Sequence, residues 1–305
     1  FEALNSFHHL VSYYNYLKAL GYDDLVKKVS LDVHALGGAD NSQFDPDAYT
    51  IEYGDGGVDD AEDTEVVLHE YVHSLSATAS NTFPNSPQRN AMEEGNCDYL
   101  AKSYSRSIND YNSYKIFSWD GHNEFWNGFV LDSDEHYPED VQNNKDGDRD
   151  MWSSTLMCIH DFIGREATDS LVLEHFNYQF SSAIMPDMAA VLLHLDTMLF
   201  NQRYYEPIKE CLVQRGLASY TVSVEETISP KRALIRNSAA FAQGVGPLYI
   251  ESEETIDLTV YNAQAQELLK TRSKQIALDP GAFSSGIYIL QLNINGHTYH
   301  QKIMR

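Results

Sequence analysis

Charge changes along this chain in a step, and the step limits what the chain can fold into. Of its 21 basic and 45 acidic residues, eight of each lie within residues 225–305, which are neutral overall. Residues 1–224 keep the other 13 basic and 37 acidic side chains, and with them the whole net charge of −24. The texture changes at the same place. Up to about Ser219 apolar residues recur at helical spacing with glycine stops, and beyond it come short β-rich runs parted by turn residues. A length of 305 residues allows about two domains at roughly 150 residues each. The reading is therefore α+β. A domain over residues 1–222 has a small N-terminal sheet and a mostly helical remainder, and a small β-sandwich covers residues 223–305.

Composition removes several classes. Hydrophobic residues at 43% and aromatics at 12% support a packed core and exclude wholesale disorder and collagen-like or coiled-coil chains. The longest apolar stretches, around Ala189–Leu195 and Ile287–Leu292, fall well short of the roughly 18 residues of a membrane-spanning helix. So acidic a chain repels phosphate backbones and anionic membrane surfaces, so nucleic acid is excluded as a partner. The start at Phe1, without Met or an apolar leader, reads as a mature or trimmed piece of a longer precursor.

Two acidic clusters stand out: Asp55, Asp59, Asp60, Glu62, Asp63 and Glu65, and a second running from Asp132 to Asp150. Neither has EF-hand spacing. Crowded carboxylates are usually relieved by hard cations, so Ca²⁺ is a candidate beside a plain solvated acidic surface. Cys97, Cys158 and Cys211 allow one pair plus one thiol or three thiols, and leave the redox compartment open.

Helices are expected over Phe1–Leu20, Thr64–Ser76, Ala91–Ser105, Met151–Gly164, Ser170–Tyr178, Met188–Asn201 and Tyr205–Gly216. Ala48–Tyr53 alternates like a strand before the turn Gly54-Asp55-Gly56-Gly57, Thr82–Asn90 reads as loop, and residues 106–150 as irregular. In the tail, strands are expected over Leu248–Glu251, Ile256–Tyr261, Glu267–Thr271, Ser285–Asn293 and Thr298–Met304, with Asn295-Gly296 as a hairpin turn.

The chemistry begins at His69-Glu70-Tyr71-Val72-His73. On a helix the two histidines lie on one face, a turn apart, and can grip one metal ion. Glu70 beside them is placed to take a proton from a water. A catalytic zinc site needs a third protein ligand and an open position. Glu94, 21 residues after His73 on the next expected helix, supplies it. Asp98, a turn further on, accepts the outer N–H of a histidine and fixes its tautomer. Glu93 is the rival ligand, set aside for lack of an acidic neighbour one turn on.

These residues resemble the gluzincin zinc endopeptidases, the clan of thermolysin and fungalysin. The likeness rests on His-Glu-Tyr-x-His at His69–His73 and on Glu94-Gly95-Asn96-Cys97-Asp98. Tyr53-Gly54-Asp55-Gly56, Met151-Trp152-Ser153-Ser154-Thr155-Leu156 and Gln214-Arg215-Gly216-Leu217 extend it over most of residues 1–217. The resemblance implies a thermolysin-like fold and one catalytic Zn²⁺ on His69, His73 and Glu94, with Glu70 as general base. It also places Asn41 and Ser42 on an edge strand that pairs with substrate backbone, and it makes the protein a secreted endopeptidase acting on proteins or peptides. A histidine that thermolysin uses to bind the transition state is missing, since Asp150-Met151-Trp152-Ser153 stands there. Tyr137 is the favoured replacement, ahead of His136 and His160. That loss motivates the alternative of a retired protease fold acting as a surface adhesin or peptide-binding module.

In the tail, Ile256–Asn262, Gly286–Gln291 and the closing Gln301–Arg305 resemble the C-terminal sorting domain of the type IX secretion pathway. That resemblance implies secretion or surface attachment and makes the secretion machinery a partner.

Overall fold

In the computed structural model, residues 1–80, 84–122, 127–218, 234–236, 247–262, 266–284, 287–294 and 297–304 are described. Their contacts divide the chain into two units, Phe1–Thr221 and Val222–Arg305.

The first unit opens with α1 (Glu2–Leu20), stopped where Gly21 turns left-handed at φ 89°, a conformation that costs glycine nothing. A three-stranded sheet follows, from β1 (Ser30–Ala35), β2 (Ser42–Asp45) and β3 (Thr50–Gly54), in the order β1-β3-β2. β1 runs parallel and β2 antiparallel to β3, so β2 is an edge. The chain then enters α2 (Thr64–Ala79), whose cap is the Asp63 carboxylate accepting from the Glu65 N–H. Residues 65–72 of α2 are all buried, as expected of a helix enclosed by core. Each fully buried Val or Leu there contributes roughly 1.5–3 kcal/mol.

α3 (Pro87–Ile108) packs on α2 and starts four residues earlier than the expected Ala91. The segment read as loop supplies its own start signal, because Ser86 caps the Arg89 N–H and Pro87 sits where a missing N–H is harmless. Residues 106–150 likewise hold more order than expected. Two short strands pair there, β4 (Lys115–Ile116) and β5 (Phe129–Val130), and α4 (Lys145–Ile163) begins with Asn144 capping the Gly147 N–H. Gly164, at φ 87°, separates α4 from α5 (Arg165–His175), and α6 (Met185–Phe200) and α7 (Tyr205–Gln214) complete the unit. Gly95 sets how closely α3 and α4 approach: a Cβ there would lie 2.9 Å from the Arg149 carbonyl oxygen. A disulfide joins Cys158 of α4 to Cys211 of α7, while Cys97 is a buried free thiol.

The second unit contains β6 (Leu234–Arg236), β7 (Leu248–Asn262), β8 (Glu267–Leu278), β9 (Ile287–Ile294) and β10 (His297–Met304). The two expected strands around 248 and 256 are one, β7, whose register shifts between Glu251 and Ile256. β7 pairs with β8 along one side and with β6 and then β9 along the other, and β10 follows β9. Among the described residues all five strands join one hydrogen-bonded network. Leu248, Ile250, Leu258, Val260, Leu290 and Leu292 form its apolar core. The Asn295-Gly296 turn lies outside the described residues; the strands it would join pair from Ile294 and His297 onward.

Candidate active site

The i,i+4 spacing on α2 brings the His69 and His73 Nε2 atoms to 3.2 Å from each other. Glu94 reaches them from α3, with its Oε2 3.3 Å from His69 Nε2 and 4.0 Å from His73 Nε2. Two ligand atoms about 2.0–2.1 Å from a tetrahedral zinc stand roughly 3.3 Å apart. Two of the three separations fit that figure, and the third is wider.

Each histidine is held from behind by a carboxylate and an arginine. His69 Nδ1 lies 2.9 Å from Asp98 Oδ1. Asp98 is fully buried and receives Arg149 Nε at 2.7 Å on Oδ2 and Nη2 at 2.5 Å on Oδ1. His73 Nδ1 lies 3.4 Å from Glu93 Oε1, and Glu93 Oε2 accepts from Arg89 Nη1 at 2.8 Å and Ser76 Oγ at 2.9 Å. Glu93 is therefore not a bystander. Its orienting partner is Arg89, four residues before it, and its task matches that of Asp98. A carboxylate behind each ring keeps the proton on Nδ1 and turns the Nε2 lone pair toward the shared point.

The electrostatics follow from this packing. Burial alone would push the His69 imidazolium down, yet its hydrogen bonds to Asp98 and Glu94 outweigh burial and raise it to about 9. Burial opposes the charge on Glu93, but His73 and Arg89 outweigh it and hold the carboxyl at about 2. Glu94 is also held well below the usual carboxylate range against burial, by His69, His73 and Arg149. Carboxylates that stay charged beside imidazoles are a set suited to a divalent cation, which releases the imidazole protons on binding.

His69, His73 and Cys97 also offer three donor atoms within 4.8 Å of one another. The Cys97 sulfur, however, lies 3.3 Å from His73 Nδ1, the edge turned away from Glu94. Burial first, then the carboxylates around it, push this thiol well above its ordinary pKa, and a protonated thiol is a poor metal ligand. Glu94 is the better third donor.

The three donors open into a cleft of about 750 Å³. Glu70, Asn41 and Ser42 line it, with Phe44 and Phe129 as apolar walls. Among the described residues β2 pairs with β3 alone, so its other edge is available at this cleft. Lys145 enters from the first turn of α4, with Nζ 3.0 Å from Glu94 Oε1, and Arg149 Nη1 lies 3.4 Å from Glu94 Oε2.

The favoured oxyanion donor does not reach this place. The Tyr137 N–H is bonded to the Arg215 carbonyl, which ties its loop to the end of α7, and Tyr137 is absent from the cleft lining. His136 is paired with Glu139 and His160 with Tyr99, also off the cleft. Arg149 and Lys145 are functional candidates that the motifs did not reveal. The signal for Arg149 is a basic residue one turn into a helix packed on Gly95.

Residues 245–305 match the family of the secretion system C-terminal sorting domain. This is an exported protein. Such a domain marks chains carried out by type IX secretion and either released or attached to the cell surface, which makes the secretion machinery a partner. The Cys158–Cys211 disulfide suits an oxidising destination. Among the described residues no helix is long and apolar enough to cross a membrane. No curated protein matches the chain.

Proposed function

We propose that the first unit is a zinc-dependent endopeptidase acting on proteins or peptides outside the cell. The observation that carries this reading is the convergence of His69 Nε2, His73 Nε2 and Glu94 Oε2 on one point beside Glu70, in a cleft bordered by a sheet edge. Zinc, when bound, supplies Lewis acidity that lowers the pKa of water and polarises a peptide carbonyl. The remaining work falls to side chains and backbone of this chain. The free edge of β2 aligns an extended peptide through main-chain hydrogen bonds. Glu70 takes a proton from the attacking water and delivers it to the leaving amine. Asp98 and Glu93 keep both imidazoles in the ligating tautomer. Lys145, which enters the cleft beside Glu94, is the cationic donor for charge developing on the carbonyl oxygen.

The alternative, a protease fold that binds peptides without turnover, is favoured by one observation: Tyr137, His136 and His160 all lie off the cleft. Cleavage of unfolded casein by zinc-loaded protein separates the two. Turnover that disappears in Glu70→Gln, with zinc retained, and under 1,10-phenanthroline supports the endopeptidase. An inert wild type holding one zinc leaves the binding module.

A further inference from the structure

Along the same cleft, a second group of acidic side chains meets beside the histidine donor set without sharing its ligand atoms. Carboxylate oxygens of Asp40, Asp60 and Asp120 lie within 4.8 Å of one another. Asp60 and Asp120 are only 2% and 3% exposed, and among the described residues no lysine, arginine or histidine forms an ion pair with either. The Ser42 hydroxyl donates to Asp60 Oδ2. Oδ1 of Asp60 and Oδ1 of Asp120 are buried and accept no hydrogen bond. A buried carboxylate without a partner is costly, and two facing one another are costlier still. A cation between the two would relieve that cost with both carboxylates charged.

We infer that Asp40, Asp60 and Asp120 form a binding site for a hard divalent cation, Ca²⁺, separate from the histidine site. Ca²⁺ binds oxygens at about 2.3–2.6 Å, so its ligand atoms stand up to roughly 5 Å apart, which covers the observed separation. An all-oxygen donor set favours a hard cation over zinc. The three residues come from three segments: the lead-in to β2, the single turn Asp60–Glu62 ahead of α2, and the turn Asp120–His122 after β4. One ion would therefore clip the β2 edge to the start of the helix that carries His69 and His73. The inference does not depend on the endopeptidase reading.

Calcium titration of the full chain by calorimetry, with thermal unfolding in parallel, tests it. The expected result is one Ca²⁺ per chain at this site and a Tm rise of roughly 5–10 °C at saturation. In Asp60→Asn and Asp120→Asn both effects are lost. Folding of the variants is checked in EDTA, where removal of like-charge repulsion leaves Tm equal to or above that of wild type. Calcium binding that survives both substitutions would place the ion elsewhere, for instance in the Asp132–Asp150 stretch, and overturn the proposal. So would a wild type without calcium uptake, or variants that change only the preference for basic side chains in a peptide.

Discussion

Arg149 grips Asp98 at two points, Nε on one carboxylate oxygen and Nη2 on the other, and both side chains are buried. Asp98 in turn accepts from His69, so a residue of α4 fixes a ring on α2 through a carboxylate on α3. Replacing Arg149 with Met strands a buried charge and frees the imidazole. The expected loss is about 10–100-fold in zinc affinity, read by competition with a chromogenic chelator. Arg149→Lys, which keeps the charge but not the two-point grip, should recover only part of it.

Glu93 serves His73 in the same way. Glu93→Gln keeps an acceptor for the Nδ1–H and should weaken zinc binding less than Glu93→Ala. Equal effects from the two variants would mean that Glu93 acts only by filling space.

Lys145 is tested by a split between binding and turnover. Lys145→Ala should retain zinc and KM within a few-fold while kcat falls by roughly 10²-fold, the scale for loss of one oxyanion donor. A fall in zinc content instead would assign Lys145 to the support of Glu94.

His175 gives a pH signature away from the site. It is fully buried, stacked on Trp152 with ring centroids 5.7 Å apart. Burial, reinforced by Arg89, pushes its pKa down to about 3. Below about pH 6.5 the unfolded chain takes up a proton that the folded chain refuses, so stability falls as pH drops from there toward 3. At pH 5 the loss is about 2 kcal/mol. His175→Phe keeps a ring against Trp152 and should remove this part of the acid slope, measured as the difference in urea midpoints between pH 7 and pH 5.

The Cys158–Cys211 bridge spans 53 residues. On chain-entropy grounds, replacing both cysteines with serine should cost about 4 kcal/mol, seen as a lower Tm under oxidising conditions and as insensitivity to reductant.

What could be read from the sequence was local. The pairing of His69 with His73 follows from helical period alone, and the place of Glu94 from a helix that can return across the first. Arg149, and the role of Glu93 as a support for His73 where the sequence offers it only as a rival ligand, depend on which groups touch: Gly95 lets α4 approach α3, and the partner of Glu93 is Arg89, four residues before it. An irregular loop points to Tyr137 in the sequence, but a loop's direction is set by what it ties to, here the Arg215 carbonyl. In the tail, the polar run Ser252-Glu253-Glu254-Thr255 interrupts the apolar alternation and hides the continuity of β7, which rests on hydrogen bonding across a register shift.

The bridge between α4 and α7 carries one more consequence. α4 delivers Lys145 and Arg149 to the donor set, so whatever steadies that helix also steadies the chemistry. In a reducing compartment the link is open and α4 is held by its packing and by the polar ties of Lys145, Arg149 and Asp161 to its neighbours; in an oxidising one the bridge closes. On the proposed reading, an enzyme of this build gains its full rigidity only where oxidation can close that link, and the reducing cytoplasm in which it is made is spared in the meantime.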